Sequence, residues 1–498
     1  MNLWATKSIG ALRAEAEATG EHSLRRSLGA LNLTTLGIGA IIGAGIFVLT
    51  GQAAAQFAGP AVWISMIIVG IACTFAGLCY AEMASVVPVA GSAYTYSYAT
   101  MGELVAWIIG WDLVLEYAAG AATVGVGWSG HLVDLLKNFG IVLPASLTNA
   151  PTAWCTADNV THAVAACAHS GLNLTGALLN VPAVFVVAVM STILVIGIKE
   201  SATVNSFIVI FKVAIVLLIV AVGLAHVTPA NWHPLIPKNT GTWGSYGWSG
   251  VLRGAGLVFF AYIGFDAVST AAQESKNPQR DLPIGILGSL AICTVLYIVV
   301  SVVLTGMVPY AELNGNAPVA YAMEKVGAPG FIRVLIDIGA VLGLASVILV
   351  MLLGQSRVFY SMSRDGLLGR WGARVHPKFR TPYISTIFTG VAVGLATGIL
   401  PLQLLGQLVN IGTLLAFVLV CAGVLILRRT RPELDRPFRT PFVPVVPILG
   451  IVCCLGLMAT LPGDTWIRLI VWLIIGLGIY FGYGRRHSTL QRELGAGR

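Results

Sequence analysis

The sequence predicts an all-α, multi-pass membrane protein with twelve transmembrane helices, and three observations carry that prediction. Of its 498 residues, 57% are hydrophobic and only 10% charged, where a soluble domain carries about 25% charged residues. So few charges cannot clothe a chain of this length in water, and lipid must be the solvent for much of its surface. A bilayer core of about 30 Å takes about 20 apolar residues to cross as a helix. Twelve stretches meet that requirement: 32–58, 60–87, 96–128, 181–198, 202–224, 250–275, 284–308, 331–361, 383–400, 403–427, 443–461 and 465–483. If the spans alternate from a cytoplasmic N-terminus, 22 Lys and Arg fall on the inner side and 6 on the outer, with Lys212 inside a span. Positive charge collects on the cytoplasmic side, so both termini are expected there.

Taken in order, residues 1–31 form a polar cytoplasmic segment. The first span is not a cleaved signal peptide, because more membrane sequence follows it and no cleavage site does. The largest outer segment, 129–180, carries Cys155 and Cys167. Outside the cytoplasm these two would close a disulfide or stand as free thiols, and the sequence leaves both open. The other cysteines lie in spans and read as small apolar side chains. Residues 443–483 supply two additional helices, and 484–498 a cytoplasmic tail.

The motifs that are missing exclude whole classes of function. No HExxH or GxxxxGK[ST] occurs, and no close cysteine pairs suggest zinc. The protein is therefore read as neither an enzyme nor an ATP-driven machine, with no metal and no cofactor. No basic stripe interleaved with aromatics suggests nucleic acid.

Two spans are poor lipid-facing helices. The first reads Gly37-Ile38-Gly39-Ala40-Ile41-Ile42-Gly43-Ala44-Gly45-Ile46-Phe47, and each glycine costs a helix about 1 kcal/mol relative to alanine. The sixth reads Phe259-Phe260-Ala261-Tyr262-Ile263-Gly264-Phe265-Asp266, a glycine beside an acid at mid-span. Either run alone would also suit close helix packing. Their pairing says more. They open two five-span blocks, 32–224 and 250–427, and an odd block length starts the second block from the opposite side of the membrane. Interrupted helices at matching positions of inverted repeats point to a transporter's central site. Unwinding frees N–H groups at one half-helix end, which suit a carboxylate, and carbonyls at another, which suit an ammonium. A free amino acid presents both groups.

These runs resemble the amino acid–polyamine–organocation superfamily, and others resemble the bacterial members of its cationic amino acid transporter branch. The latter are Tyr80-Ala81-Glu82, Pro88-Val89-Ala90-Gly91-Ser92-Ala93-Tyr94-Thr95-Tyr96, Gly110-Trp111-Asp112-Leu113-Val114-Leu115-Glu116-Tyr117, Asn277-Pro278-Gln279-Arg280-Asp281-Leu282-Pro283-Ile284-Gly285-Ile286 and Arg364-Asp365-Gly366-Leu367-Leu368. The resemblance runs from about residue 25 to 485 in order. It implies a leucine-transporter-type 5+5 inverted repeat plus two C-terminal helices, working without ATP or metal. It also implies that the substrate carboxylate meets N–H groups around Gly43, Ala44 and Gly45. The ammonium would meet carbonyls of Ile41, Phe260, Ala261 and Ile263, and Phe265 would close over the substrate from outside. Packing is the alternative role for Phe265.

Lys212 lies about ten residues, roughly 15 Å at 1.5 Å per residue, from either end of its span. A lysine at that depth costs several kcal/mol as a cation. It is therefore read as the proton-coupling residue, where the resemblance implies that sodium-driven relatives bind their ion. The alternative is a strut bonded to first-helix carbonyls. Asp112 and Glu116 share a face of the third helix at i, i+4; Glu116 is assigned to the substrate or proton path, and Asp112 and Asp266 to structure. Glu82 and Arg280-Asp281 are read as solvated charges at the cytoplasmic face, with a gating ion pair as the alternative.

A pocket walled by Met351, Ala119 and Phe265 would suit alanine or another small neutral L-amino acid, since methionine offers a guanidinium no hydrogen bond. The expected function is proton-coupled uptake through the plasma or inner cell membrane, the partners being the amino acid, the proton and the bilayer. The competing readings are arginine or lysine transport, exchange of amino acids or polyamines without a proton, and a receptor that binds without moving its ligand. A small accessory membrane subunit is left open.

Overall fold

The structure, a computed structural model, describes residues 2–10, 12, 26–89, 91–155, 171–315 and 318–496. Helix dominates because nearly every apolar run lacks the turn chemistry that would stop it. The main helices are α1 (Ala30–Ile41), α2 (Val62–Val86), α3 (Ala93–Thr100), α4 (Glu103–Asn138), α5 (Val181–Ile196) and α6 (Ile198–Leu224). They continue with α7 (Gly247–Val258), α8 (Ala267–Thr270), α9 (Pro278–Met307), α10 (Gly330–Arg364), α11 (Tyr383–Ile399) and α12 (Leu402–Thr430). Helices α13 (Val445–Ala459), α14 (Gly463–Ile479) and α15 (Thr489–Ala496) complete the set. Ends follow local chemistry: the Asn180 side chain accepts from the Ala183 N–H at the start of α5, and Pro278 opens α9 where a missing N–H is harmless.

Eight helical stretches among the described residues are long and apolar enough to cross a membrane. The first, Ala30–Val86, covers two of the expected spans and is divided at Gly59-Pro60, where Gly59 has φ 62°. Three more expected spans are the apolar helices α5, α11 and α13, of 16, 17 and 15 residues, at or under the lower limit of about 17 for a crossing. The expected span 96–128 has other bounds: Gly102 (φ 99°) separates α3, and the long helix α4 runs from Glu103 to Asn138. A hairpin of β1 (Thr152–Cys155) and β2 (Gly171–Leu174) pairs antiparallel, with Thr152 opposite Leu174. Cys167 and the Cys155 side chain lie outside the described residues, so the disulfide question does too.

Helix α4 packs along α10 and α12, α9 along α1 and α2, and α11 along α5. Both ends of the chain lie on one face. The Leu104 N–H donates to Leu3 O (3.1 Å), the Gln491 side-chain amide donates to Asn2 O (2.7 Å), and Lys7 pairs with Asp365 (2.8 Å). The sequence reading of Glu82 as a solvated surface charge is corrected on this face. Glu82 is buried and accepts a two-pronged pair of bonds from Arg428 (2.8 and 2.9 Å) and one from the Thr440 N–H (2.7 Å). A fork of this kind satisfies a carboxylate out of water. Arg280 is exposed.

Candidate substrate site

Helix α1 loses its geometry at Ile42 (φ −72°, ψ 100°), and the chain winds again only from Gly45, as a wide turn to Leu49. The first N–H groups of a segment that starts afresh have no partner within it. The second break follows α7. A tight turn, Phe259–Tyr262, runs into extended Ile263 (ψ 135°) and Gly264 (φ 121°), before α8 begins at Ala267. Only glycine adopts that conformation without strain, and a Cβ on Gly264 would also stand 2.6 Å from Ala40 Cβ. Gly45 makes the reciprocal approach: a Cβ there would run into Ala261 Cα and Cβ. The two breaks therefore touch backbone to backbone.

Tyr297 of α9 ties them together. Its hydroxyl lies 2.5 Å from Ile41 O and 2.8 Å from Ala261 O, donating its one proton between the two carbonyls. Asp266 closes the second break on itself, accepting from the Gly264 N–H (3.2 Å) and from the Tyr117 hydroxyl (2.6 Å).

Where the breaks meet, a cavity opens. Ala40, Ile41 and Gly43–Gly45 line it from the first break, and Phe260 and Ile263 from the second. Gly120 and Val124 of α4, Val347 and Met351 of α10, and Val409 of α12 complete the wall. No charged side chain is among them. Its lining combines the backbone of the two breaks with aliphatic side chains from α4, α10 and α12.

Just behind the first break, the fully buried Lys212 of α6 reaches the backbone. Its ammonium donates to Gly39 O and Ile42 O (2.7 Å each) and to Ser346 Oγ (2.8 Å). An ammonium has three protons to donate, and these acceptors account for them. No carboxylate pairs with it among the described residues.

Residues 28–480 match the family model described as amino acid permease. The chain belongs to that family. This permease is a member of the amino acid–polyamine–organocation superfamily, an integral membrane transporter and not an enzyme. It is similar to the branched-chain amino acid permease BcaP of Bacillus subtilis (strain 168), 49% identical with 96% of this chain and 97% of that protein covered. It is also similar to the methylthioribose transporter of the same organism, at 44%, covering 99% and 100%. Cationic amino acid transporter 9, chloroplastic, of Arabidopsis thaliana is 36% identical over 95% and 90%.

Of the residues singled out in the sequence of this permease, Ile41, Gly43, Ala44, Gly45, Phe260, Ile263 and Met351 meet at the cavity. Four others do not form its wall. Phe265 packs on Tyr80 and Phe417, with ring centroids 5.9 and 5.0 Å away, because the extended Ile263 and Gly264 carry it past the break; Phe260 supplies the aromatic wall instead. Ala119 is buried one position away from the wall formed by Gly120. Ala261 is withdrawn behind Gly45. Glu116 lies one turn before Gly120, buried, and neither its carboxyl nor that of Asp112 has a hydrogen-bond partner among the described residues. Sequence reasoning missed Ala40, Gly120, Val124, Val347, Val409 and Tyr297. Gly120 and Val124 were within reach, since they continue the i, i+4 face of Asp112 and Glu116; Tyr297 is one tyrosine in an apolar run and carries no local signal.

Proposed function

We propose that this permease takes up neutral aliphatic L-amino acids, from alanine to the branched-chain ones, in symport with protons. The observation that carries this reading is the cavity itself: it is lined by the backbone of the two helix breaks and by side chains that are all apolar. The substrate carboxylate meets the N–H groups of Gly43–Gly45, and the ammonium meets the carbonyls of Ile41, Phe260, Ala261 and Ile263, sharing two of them with Tyr297. A carbonyl has two lone pairs, so Ile41 and Ala261 can accept from both donors. Lys212 exchanges the coupling proton, and its hold on Gly39 and Ile42 links that event to the shape of the first break. We place this site within a leucine-transporter-type 5+5 repeat plus two helices, in the plasma membrane with both termini cytoplasmic.

The printed name of the branched-chain permease supports the aliphatic part of this reading. The relatives named for cationic amino acids favour arginine or lysine, but the wall offers a cationic head no side-chain acceptor. A methylthiopentose, suggested by another relative's name, lacks the carboxylate for which the Gly43–Gly45 N–H groups are suited. The test is uptake of alanine, leucine, arginine and methylthioribose into proteoliposomes, with and without an inward proton gradient. Alanine and leucine uptake that accelerates with the gradient is expected. Uptake of arginine instead, or uptake indifferent to the gradient, overturns it.

A further inference from the structure

Glycines within α4 fall into distinct surroundings. At Gly110 a Cβ would stand 2.8 Å from Met362 and Tyr94, and at Gly125 it would stand 2.8 Å from Thr397 Cγ2. There the missing side chain lets a neighbouring helix come close. At Gly127 and Gly130 nothing lies within 4 Å. Gly120 is different. A Cβ there would meet Met351 Sδ at 3.6 Å, and Met351 Cγ and Val409 Cγ1 at 4.0 Å, all ordinary van der Waals distances. No packing demand explains a glycine at the middle of a long helix, where alanine is the better helix former. Gly120, Met351 and Val409 all line the cavity, so a carbon added at position 120 would project into its wall.

We infer that Gly120 sets the size limit of the substrate side chain, since a methyl there would sit in contact with Met351 and Val409 and take up space on this side of the cavity. This deepens the reading of the site as one for aliphatic amino acids, and rests on it. The backbone groups of the two breaks fix the carboxylate and ammonium end, so the apolar wall decides how far a side chain can extend. Met351 and Val409 close that wall from α10 and α12, and Gly120 is the position on α4 where one added carbon would touch both. A methyl at position 120 takes volume at this wall and so bears more on a branched side chain than on the shorter one of alanine.

The test measures KM and kcat of the purified full-length protein in proteoliposomes for alanine, valine and leucine. Gly120→Ala is expected to lower kcat/KM for leucine about tenfold relative to that for alanine, the discrimination that one carbon in an apolar pocket supplies. Most of that loss should appear in KM. Val409→Ala in the Gly120→Ala background, which reopens the space from α12, is expected to restore leucine. A defect of folding would lower all substrates together, and no change on the facing helix would reverse it for leucine alone. Parallel loss of all three substrates, or no change in any, overturns the inference while leaving the aliphatic reading intact. Wild-type protein that takes up none of the three overturns both.

Discussion

The ammonium of Lys212 lies 2.7 Å from the carbonyl oxygen of Ile42, the residue at which the first membrane helix gives up its helical geometry. A break in a helix leaves carbonyls without their usual partners, and in lipid each must be satisfied from within the protein. Lys212 satisfies Ile42 and, with Ser346 Oγ, also Gly39. Loss of its proton removes a donor from this set and alters what holds the break open. Under the proposed coupling, one side chain would join a titration to a conformation.

Lys212→Ala should therefore have two separable effects. It strips the buried Ile42 carbonyl of its donor, at a cost of about 1–3 kcal/mol, read as a lower unfolding temperature in detergent. It also abolishes accumulation driven by an inward proton gradient, while exchange of labelled for unlabelled substrate continues. A variant that still accumulates substrate with unchanged pH dependence would reduce Lys212 to a strut and move coupling to Glu116.

Tyr297→Phe removes one oxygen and unties Ile41 from Ala261. Both carbonyls then lose a buried donor, and the breaks lose the one hydroxyl that bridges Ile41 and Ala261. A loss of about 1–3 kcal/mol in stability is expected, with a higher KM because the ammonium acceptors are no longer fixed. Titrating uptake against substrate concentration separates this from a fall in kcat alone. An unchanged KM would show that the bridge is dispensable for binding.

How much of this was legible beforehand depends on whether the signal was local. Glycine spacing marked both breaks, because a glycine-rich run weakens a helix wherever it lies. Depth along a span was enough to single out Lys212. The eighth-helix wall shows through Met351, whereas Phe265, matched by resemblance to a closing aromatic with packing as its alternative, packs on Tyr80 and Phe417 beyond the extended Ile263 and Gly264. Glu82 was read as solvated because its partners Arg428 and Thr440 lie some 350 positions away, beyond any periodicity. Tyr297 and Val409 were invisible for the same reason: which residue of an apolar helix faces a break is decided by packing between helices.

Gly45→Val tests the contact between the breaks. The added branches would run into Ala261, pushing the second break away from the first. Substrate binding should be lost, together with some stability. Gly45→Ala should be a milder version, partly relieved by Ala261→Gly, which removes the Cβ facing it. Relief in the double variant, measured as recovered substrate-induced thermal stabilisation, would place the defect in this contact. Full binding by Gly45→Val would mean that the first break is a packing feature and not a site.

The final prediction concerns the apolar wall. Met351 is buried and faces Gly120 across the cavity, and its thioether offers a cationic head no useful acceptor. Arginine would have to leave its guanidinium dry and unpaired there, so it should compete poorly with alanine in the wild-type protein. Met351→Ser removes the thioether and its terminal methyl, widens the space beside Gly120, and supplies a hydroxyl oxygen. A hydrogen bond to a charged group contributes about 1.5–3 kcal/mol, equivalent to roughly tenfold or more in affinity. Competition by arginine for alanine uptake should strengthen by about that factor, while leucine, which loses the thioether it packs against, should weaken. Equal competition by arginine and alanine in the unmodified protein would refute both the wall and the neutral-substrate reading. An arginine response in Met351→Ser without loss of leucine affinity would keep the wall but move the aliphatic contact to Val347 and Val409.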